Sequence, residues 1–106
     1  STAETDWAQI VDWYDELVAL TDSLVHRLNR AVAVGEADGA PAGLAALAQL
    51  DPSLPRYTAV AAHLHEKNGN LSTAADLYAE AARLATAVPE RDHLIRESAR
   101  VRQALW

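Results

Sequence analysis

Residues 56–88, RYTAVAAHLHEKNGNLSTAADLYAEAARLATAV, decide the fold. Apolar positions recur with a helical period on both sides of Asn68-Gly69. Gly69 stands where a first helix has to stop, because glycine enters the left-handed conformation that ends helices without a steric penalty. Beyond it, Ala74 and Ala81 lie two turns apart on one helix face and are small enough to let two helices approach closely. Tyr78, between them, is the one large side chain placed to fill the gap. The stretch therefore predicts a helix, a tight turn and a second helix packed back on the first.

This combination of small, large and turn residues is that of a tetratricopeptide-type repeat, whose period is about 34 residues. It recurs upstream: Tyr14, Ala48 and Tyr78 take equivalent places at spacings of 34 and 30, and Gly39 precedes Gly69 by 30. The chain predicts an all-α fold, a short tetratricopeptide-like solenoid forming one domain over 1–106. Its helices are expected at roughly 7–20, 23–37, 41–50, 55–68, 72–87 and 90–105, stacked as antiparallel pairs with Tyr14, Leu28, Tyr57 and Tyr78 at least largely buried. In the first, Trp7, Ile10, Val11, Tyr14, Leu17 and Val18 form one apolar stripe, with Asp12, Asp15 and Glu16 away from it.

The breaks carry their own chemistry. Asp6 suits the cap of the first helix, with Gln9 three residues on, and Asp22 and Ser72 are expected to cap the second and fifth. Pro41, Pro55 and Pro89 fall near first-turn positions, where a missing N–H costs nothing. Gly39 and Asn68-Gly69 supply the residues that end helices.

At 106 residues, half of them apolar, the chain has no Phe, Met or Cys, so the core has to be Leu, Val, Ala, Tyr and Trp. Without cysteine no disulfide framework can form, which suits a reducing cytoplasm. No run approaches the roughly 18 apolar residues of a membrane span. The absence of Met predicts a piece excised from a longer protein. Residues 1–51 hold nine acids against Arg27 and Arg30, a net of −7, whereas 52–106 hold six acids against seven bases, a net of +1, giving −6 for the whole. An acidic first half repels phosphate and argues against direct DNA binding. It presents either a solvated face or a surface for a basic partner. Arg91, Arg96, Arg100 and Arg102 are interspersed with Glu90, Asp92 and Glu97 and read as surface pairs, not a basic patch.

Catalytic constellations are poor. His63 and His65 are two apart on a helix and point in different directions, and no acid joins two histidines at metal-ligand spacing. There is no nucleophile elbow and no phosphate loop. The sequence predicts no catalytic, cofactor or metal site, and the expected work is protein contact.

Three segments then carry a resemblance: Thr5-Asp6-Trp7 with Ile10 and Tyr14; Arg27-Leu28-Asn29-Arg30-Ala31-Val32-Ala33-Val34; and Gly39 with Gly43-Leu44-Ala45-Ala46-Leu47. Together they closely resemble the tetratricopeptide-like C-terminal extension of extracytoplasmic-function (ECF) RNA polymerase sigma factors, in the group numbered forty-two. The second half is similar at Arg56-Tyr57, Ala62-His63-Leu64, Gly69, Ala75, Tyr78, Ala81-Ala82, Pro89-Glu90-Arg91 and Leu94, so the likeness runs from about residue 5 to about 101. It departs at Ala61, where an Arg is common, and at His65-Glu66-Lys67, where a Leu-containing segment is usual. The resemblance implies a bacterial, cytoplasmic parent whose missing N-terminal part binds core RNA polymerase and reads promoters. This piece would then be a regulatory extension contacting the sigma core, the polymerase or a separate regulator.

The repeat register places His26, Asn29, Arg30, Arg56, His63, Glu66 and Lys67 on or beside the first helices of two repeats, which line the concave face of such solenoids. That set is the candidate protein-binding groove, suited to a carboxylate or an acidic peptide. Alternatively Asn29 ties adjacent helices through a backbone carbonyl, and Arg30 pairs with Glu36 or an acid of the first helix. Two other functions compete: a free-standing tetratricopeptide-type adaptor and a small enzyme. Finally, the first helix has the pattern of a repeat's second helix, so its partner is expected upstream, leaving apolar surface around Trp7 or Trp13 open to self-association.

Overall fold

The computed structural model describes residues 5–105. Within them every regular element is a helix: α1 (Trp7–Thr21), α2 (Leu24–Asp38), α3 (Ala40–Leu47), α4 (Tyr57–Lys67), α5 (Leu71–Leu84) and α6 (Val88–Gln103). All six predicted segments are present, with ends displaced by three residues or fewer. The residues group into two compact units, Ser1–Asp51 with α1 to α3 and Pro52–Trp106 with α4 to α6, divided where the charge of the sequence changes. None of these helices is long and apolar enough to cross a membrane.

The local chemistry explains the boundaries. Asp6 accepts the Gln9 N–H at 3.1 Å, the expected cap of α1. Asp22 does not cap α2: it closes α1 in the left-handed conformation, and Ser23 accepts the His26 N–H instead. Ser72 falls inside α5, which starts after Asn70 without a side-chain cap. Pro41 and Pro89 stand in the first turns of α3 and α6, while Pro55 lies in the turn that precedes α4.

Gly39, at φ 100° and ψ 158°, adopts a conformation that essentially only glycine reaches, so α2 can end and α3 begin across a single residue. Gly69, at φ 81°, ends α4. The Asn70 N–H reaches the His65 carbonyl at 2.9 Å and the Gly69 N–H reaches Glu66 at 3.0 Å, the paired bonds of a Schellman motif.

In the second unit α4 packs on α5 and α5 on α6. Ala62, Ala74, Ala75, Ala81 and Ala82 bring the helices close, and Tyr78, Leu94 and Val101 fill the space around them. Tyr78 is 6% exposed, as expected of the one large side chain between Ala74 and Ala81. Ser98, the one buried polar side chain among the described residues, donates to the Ala75 carbonyl at 2.9 Å and joins α6 to α5.

In the first unit α1 packs on α2 and α2 on α3. Leu28, Ala31, Ala33 and Val34 of α2 are buried with Ala40 and Leu47 of α3, whereas α1 has no buried residue at all. Tyr14 and Tyr57 are only half-buried, unlike Leu28 and Tyr78. Ala48 does not repeat the role of Tyr78, because α3 ends at Leu47 and Ala48 is exposed. A residue without a long side chain at the end of an eight-residue helix has no gap to fill.

Candidate protein-contact surface

The seven groove residues divide between the two units. His26, Asn29 and Arg30 lie on α2, and Arg56, His63, Glu66 and Lys67 lie at the start of α4 or within it. On α2, the Thr21 hydroxyl donates to the Leu17 carbonyl at 2.7 Å, so at its 3.1 Å approach to the His26 ring it accepts from Nδ1–H. The Tyr14 ring tilts over His26, with centroids 6.5 Å apart. Arg30 donates from Nε to Asp15 at 2.5 Å and so pairs with an acid of α1. Asn29 is half-buried and makes no side-chain hydrogen bond among the described residues. It sits one residue from Leu28 in the core and one from the Arg30 ion pair.

Glu66 is committed to the packing of its own unit. It accepts from the Tyr78 hydroxyl at 3.0 Å and from Arg100 at 2.8 Å, while Arg100 also holds Glu97 at 2.6 Å. One carboxylate thus ties α4 to α5 and α6. The Arg100 hydrogen bond holds the Glu66 carboxyl below the usual carboxylate range, against the opposing effect of burial. Burial, then the bond to Glu66, pushes the Tyr78 hydroxyl well above the ordinary tyrosine value, and the two carboxylates push Arg100 up. Each pKa is shifted further from 7, holding Glu66 and Arg100 charged and Tyr78 neutral, which suits a structural tie and not proton exchange near pH 7.

The other members are more accessible. Lys67 is exposed in the last turn of α4, where a cation favours the carbonyl end of the helix. His63, one turn before it, is half-buried. Arg56 is exposed at the N-cap of α4 with φ 71°, a left-handed conformation that costs a residue with a Cβ about 1–2 kcal/mol.

Two features escaped the reading of the groove. Arg102 pairs with Asp76 across α6 and α5 at 3.0 Å, and Ser98 is a buried tie; neither spacing is local, so no helical period signals it. The second feature is apolar. Trp13 is 56% exposed and Leu20 83%, with Leu17, Leu24 and Val25 exposed as well, whereas Trp7 is half-buried. Leu17, expected in the stripe with Tyr14 and Val18, is instead exposed and continues a line with Trp13 and Leu20 at i, i+4 and i+7, and of the two tryptophans expected near open apolar surface it is Trp13 that is exposed. Among the described residues no group of three His, Cys, Asp or Glu is placed to hold a metal. Comparison of the chain with family models, with curated proteins and with solved structures returned no match.

Proposed function

We propose that this chain is the regulatory protein-contact domain of a bacterial ECF sigma factor of group forty-two, a tetratricopeptide-like extension that works in the cytoplasm without catalysis. It modulates or enables transcription initiation through contacts with the sigma core, RNA polymerase or a separate regulator. The observation that carries this reading is the division of labour within Arg27–Val34, the most specific segment of the resemblance. Leu28, Ala31, Ala33 and Val34 are committed to the core, while Asn29 and Arg30 are only half-buried. The segment combines a packing code with a polar pair held beside an acidic helix, and that pair is what a partner reads.

The test is promoter-specific transcription in vitro with the full-length parent. Deleting the region, or combining Asn29→Ala with Arg30→Ala, is expected to change transcript yield, while the isolated domain keeps its fold and binds no promoter DNA at moderate salt. Asp15→Ala serves as the control, since it breaks the same ion pair without removing the polar pair from α2. Unchanged transcription after deletion contradicts the proposal. An equal effect of Asp15→Ala reduces Asn29 and Arg30 to structural ties.

A further inference from the structure

The turn that closes α4 contains a chemically reactive pair, Asn68-Gly69. An asparagine loses its side-chain amide when the backbone nitrogen of the next residue attacks its Cγ, and glycine, without a side chain, leaves that nitrogen least shielded. Asn68, Gly69 and Asn70 are all exposed, and nothing lies within 4 Å of the Cβ position of Gly69, so solvent reaches the reacting atoms. The backbone, however, holds them apart. Asn68 sits at φ −82° and ψ 2°. At that ψ the Gly69 nitrogen is turned away from the Cβ–Cγ arm, whereas the ring that would join them needs the two eclipsed about the Cα–C bond. The Gly69 N–H is also held by the Glu66 carbonyl at 3.0 Å and the Asn70 N–H by the His65 carbonyl at 2.9 Å. The Asn68 ψ therefore cannot swing to the reactive value without opening the Schellman turn.

We propose that Asn68-Gly69 is a deamidation site gated by the fold, closed while α4 and α5 stay joined and reactive once their turn opens. In the open turn the Gly69 nitrogen gives its proton to hydroxide and bonds to Asn68 Cγ. The Cγ–Nδ2 bond breaks, and the nitrogen leaves as ammonia with a proton from water, giving a cyclic imide. Water then opens the imide on either side. Breaking the new bond at Cγ yields aspartate, and breaking the original backbone C–N bond yields isoaspartate, with the main chain now running through Cβ and Cγ. The net change is amide plus water to acid plus ammonia. Both products put a carboxylate at the carbonyl end of α4, where the helix dipole disfavours an anion. Isoaspartate also lengthens the backbone between α4 and α5, so the two Schellman bonds can no longer form together. An opening of this turn is thereby made permanent in the very pair of helices that encloses Tyr78. This inference does not depend on the sigma-factor reading.

Peptide mapping by mass spectrometry, with aspartate and isoaspartate resolved by chromatography, tests it on the full chain held at mildly alkaline pH. Asn68 is expected to be modified about tenfold or more slowly in native buffer than in guanidinium chloride. A synthetic peptide of residues 64–74, too short to hold a helix pair, is expected to react in native buffer at the unfolded rate, which separates the fold from the denaturant. Asn29, followed by Arg30, and Asn70, followed by Leu71, are expected to stay intact over the same period. The isoaspartate form of the full chain, once purified, is expected to unfold at a lower denaturant midpoint than the unmodified chain. Equal rates at Asn68 in the native chain, the unfolded chain and the peptide overturn the gate. Modification of Asn29 or Asn70 as fast as Asn68 in the unfolded chain overturns the site, and an unchanged midpoint overturns the damage to the turn.

Discussion

The unit of α4 to α6 and the unit of α1 to α3 follow the same plan, three helices with the middle one packed against both neighbours, yet they commit their outer helices very differently. In the later unit α6 contributes Leu94, Ser98 and Val101 to the interior, and Glu66, Tyr78 and Arg100 join all three helices. In the earlier unit no residue of α1 is fully buried, its apolar side chains being only partly covered, and Asp15 pairs with Arg30 across to α2. The lesson is that helical period decides where a helix forms, whereas its hold on the rest depends on a large side chain finding a hole. Tyr78 has one; Tyr14, on the outer helix α1, is half-buried beside His26.

The sharpest way to break this comparison is to remove the two tyrosines. Tyr78→Ala leaves a cavity among alanines that cannot move in to fill it, and is expected to cost about 3–5 kcal/mol. Tyr14→Ala is expected to cost less than about 2 kcal/mol, since solvent already reaches the ring. Chemical denaturation of each variant measures the difference, and equal losses would erase the distinction between the units.

The sequence made much of this legible, for reasons that differ by element. Gly69, Ala74, Tyr78 and Ala81 act within one turn-and-helix segment, so their spacing alone specifies the packed pair. The six helices followed from the apolar period and from proline and glycine at their ends. Ala48 was misread because a residue count assigned it a role that only side-chain volume could supply. The Asp22 cap was misread by one residue because Asp tolerates the left-handed conformation and Ser23 is an equally good acceptor. Of the groove, Glu66 was placed on the right helix, but its ties to Tyr78 and Arg100 span 12 and 34 residues, beyond any local pattern.

A smaller effect tests the polar tie in the later unit. Glu66 has a folded-state pKa below its unfolded value, so its stabilisation is present above the unfolded value of about 4.3 and is lost as pH falls through the lowered one. Glu66→Gln is expected to cost about 1–3 kcal/mol at neutral pH and to flatten the acid limb of the stability profile. Tyr78, raised in the folded state, gives the opposite sign: its contribution is complete below about pH 10 and is lost as pH rises, so Tyr78→Phe removes an alkaline limb. Thermal unfolding between pH 3 and 11 reads both limbs, and unchanged limbs in the variants would show that Glu66 and Tyr78 do not form the tie.

The smallest effects concern two left-handed residues at the ends of α4. Gly69→Ala is expected to destabilise by about 1 kcal/mol, although nothing lies near the added Cβ, because the conformation itself is strained for alanine. Arg56→Gly is expected to stabilise by about 0.5–1 kcal/mol by relieving the same strain. Denaturation midpoints that shift the same way in both would refute the backbone argument.

Native-state hydrogen exchange of the 106-residue chain at low concentration tests the central comparison most directly. The amides of α5, enclosed between α4 and α6, are expected to exchange only through the highest-energy opening, while those of α1 exchange through a local opening of much lower free energy. Equal protection of α1 and α5 would mean that α1 belongs to a closed core, and its exposed stripe could no longer be read as a surface left for a partner.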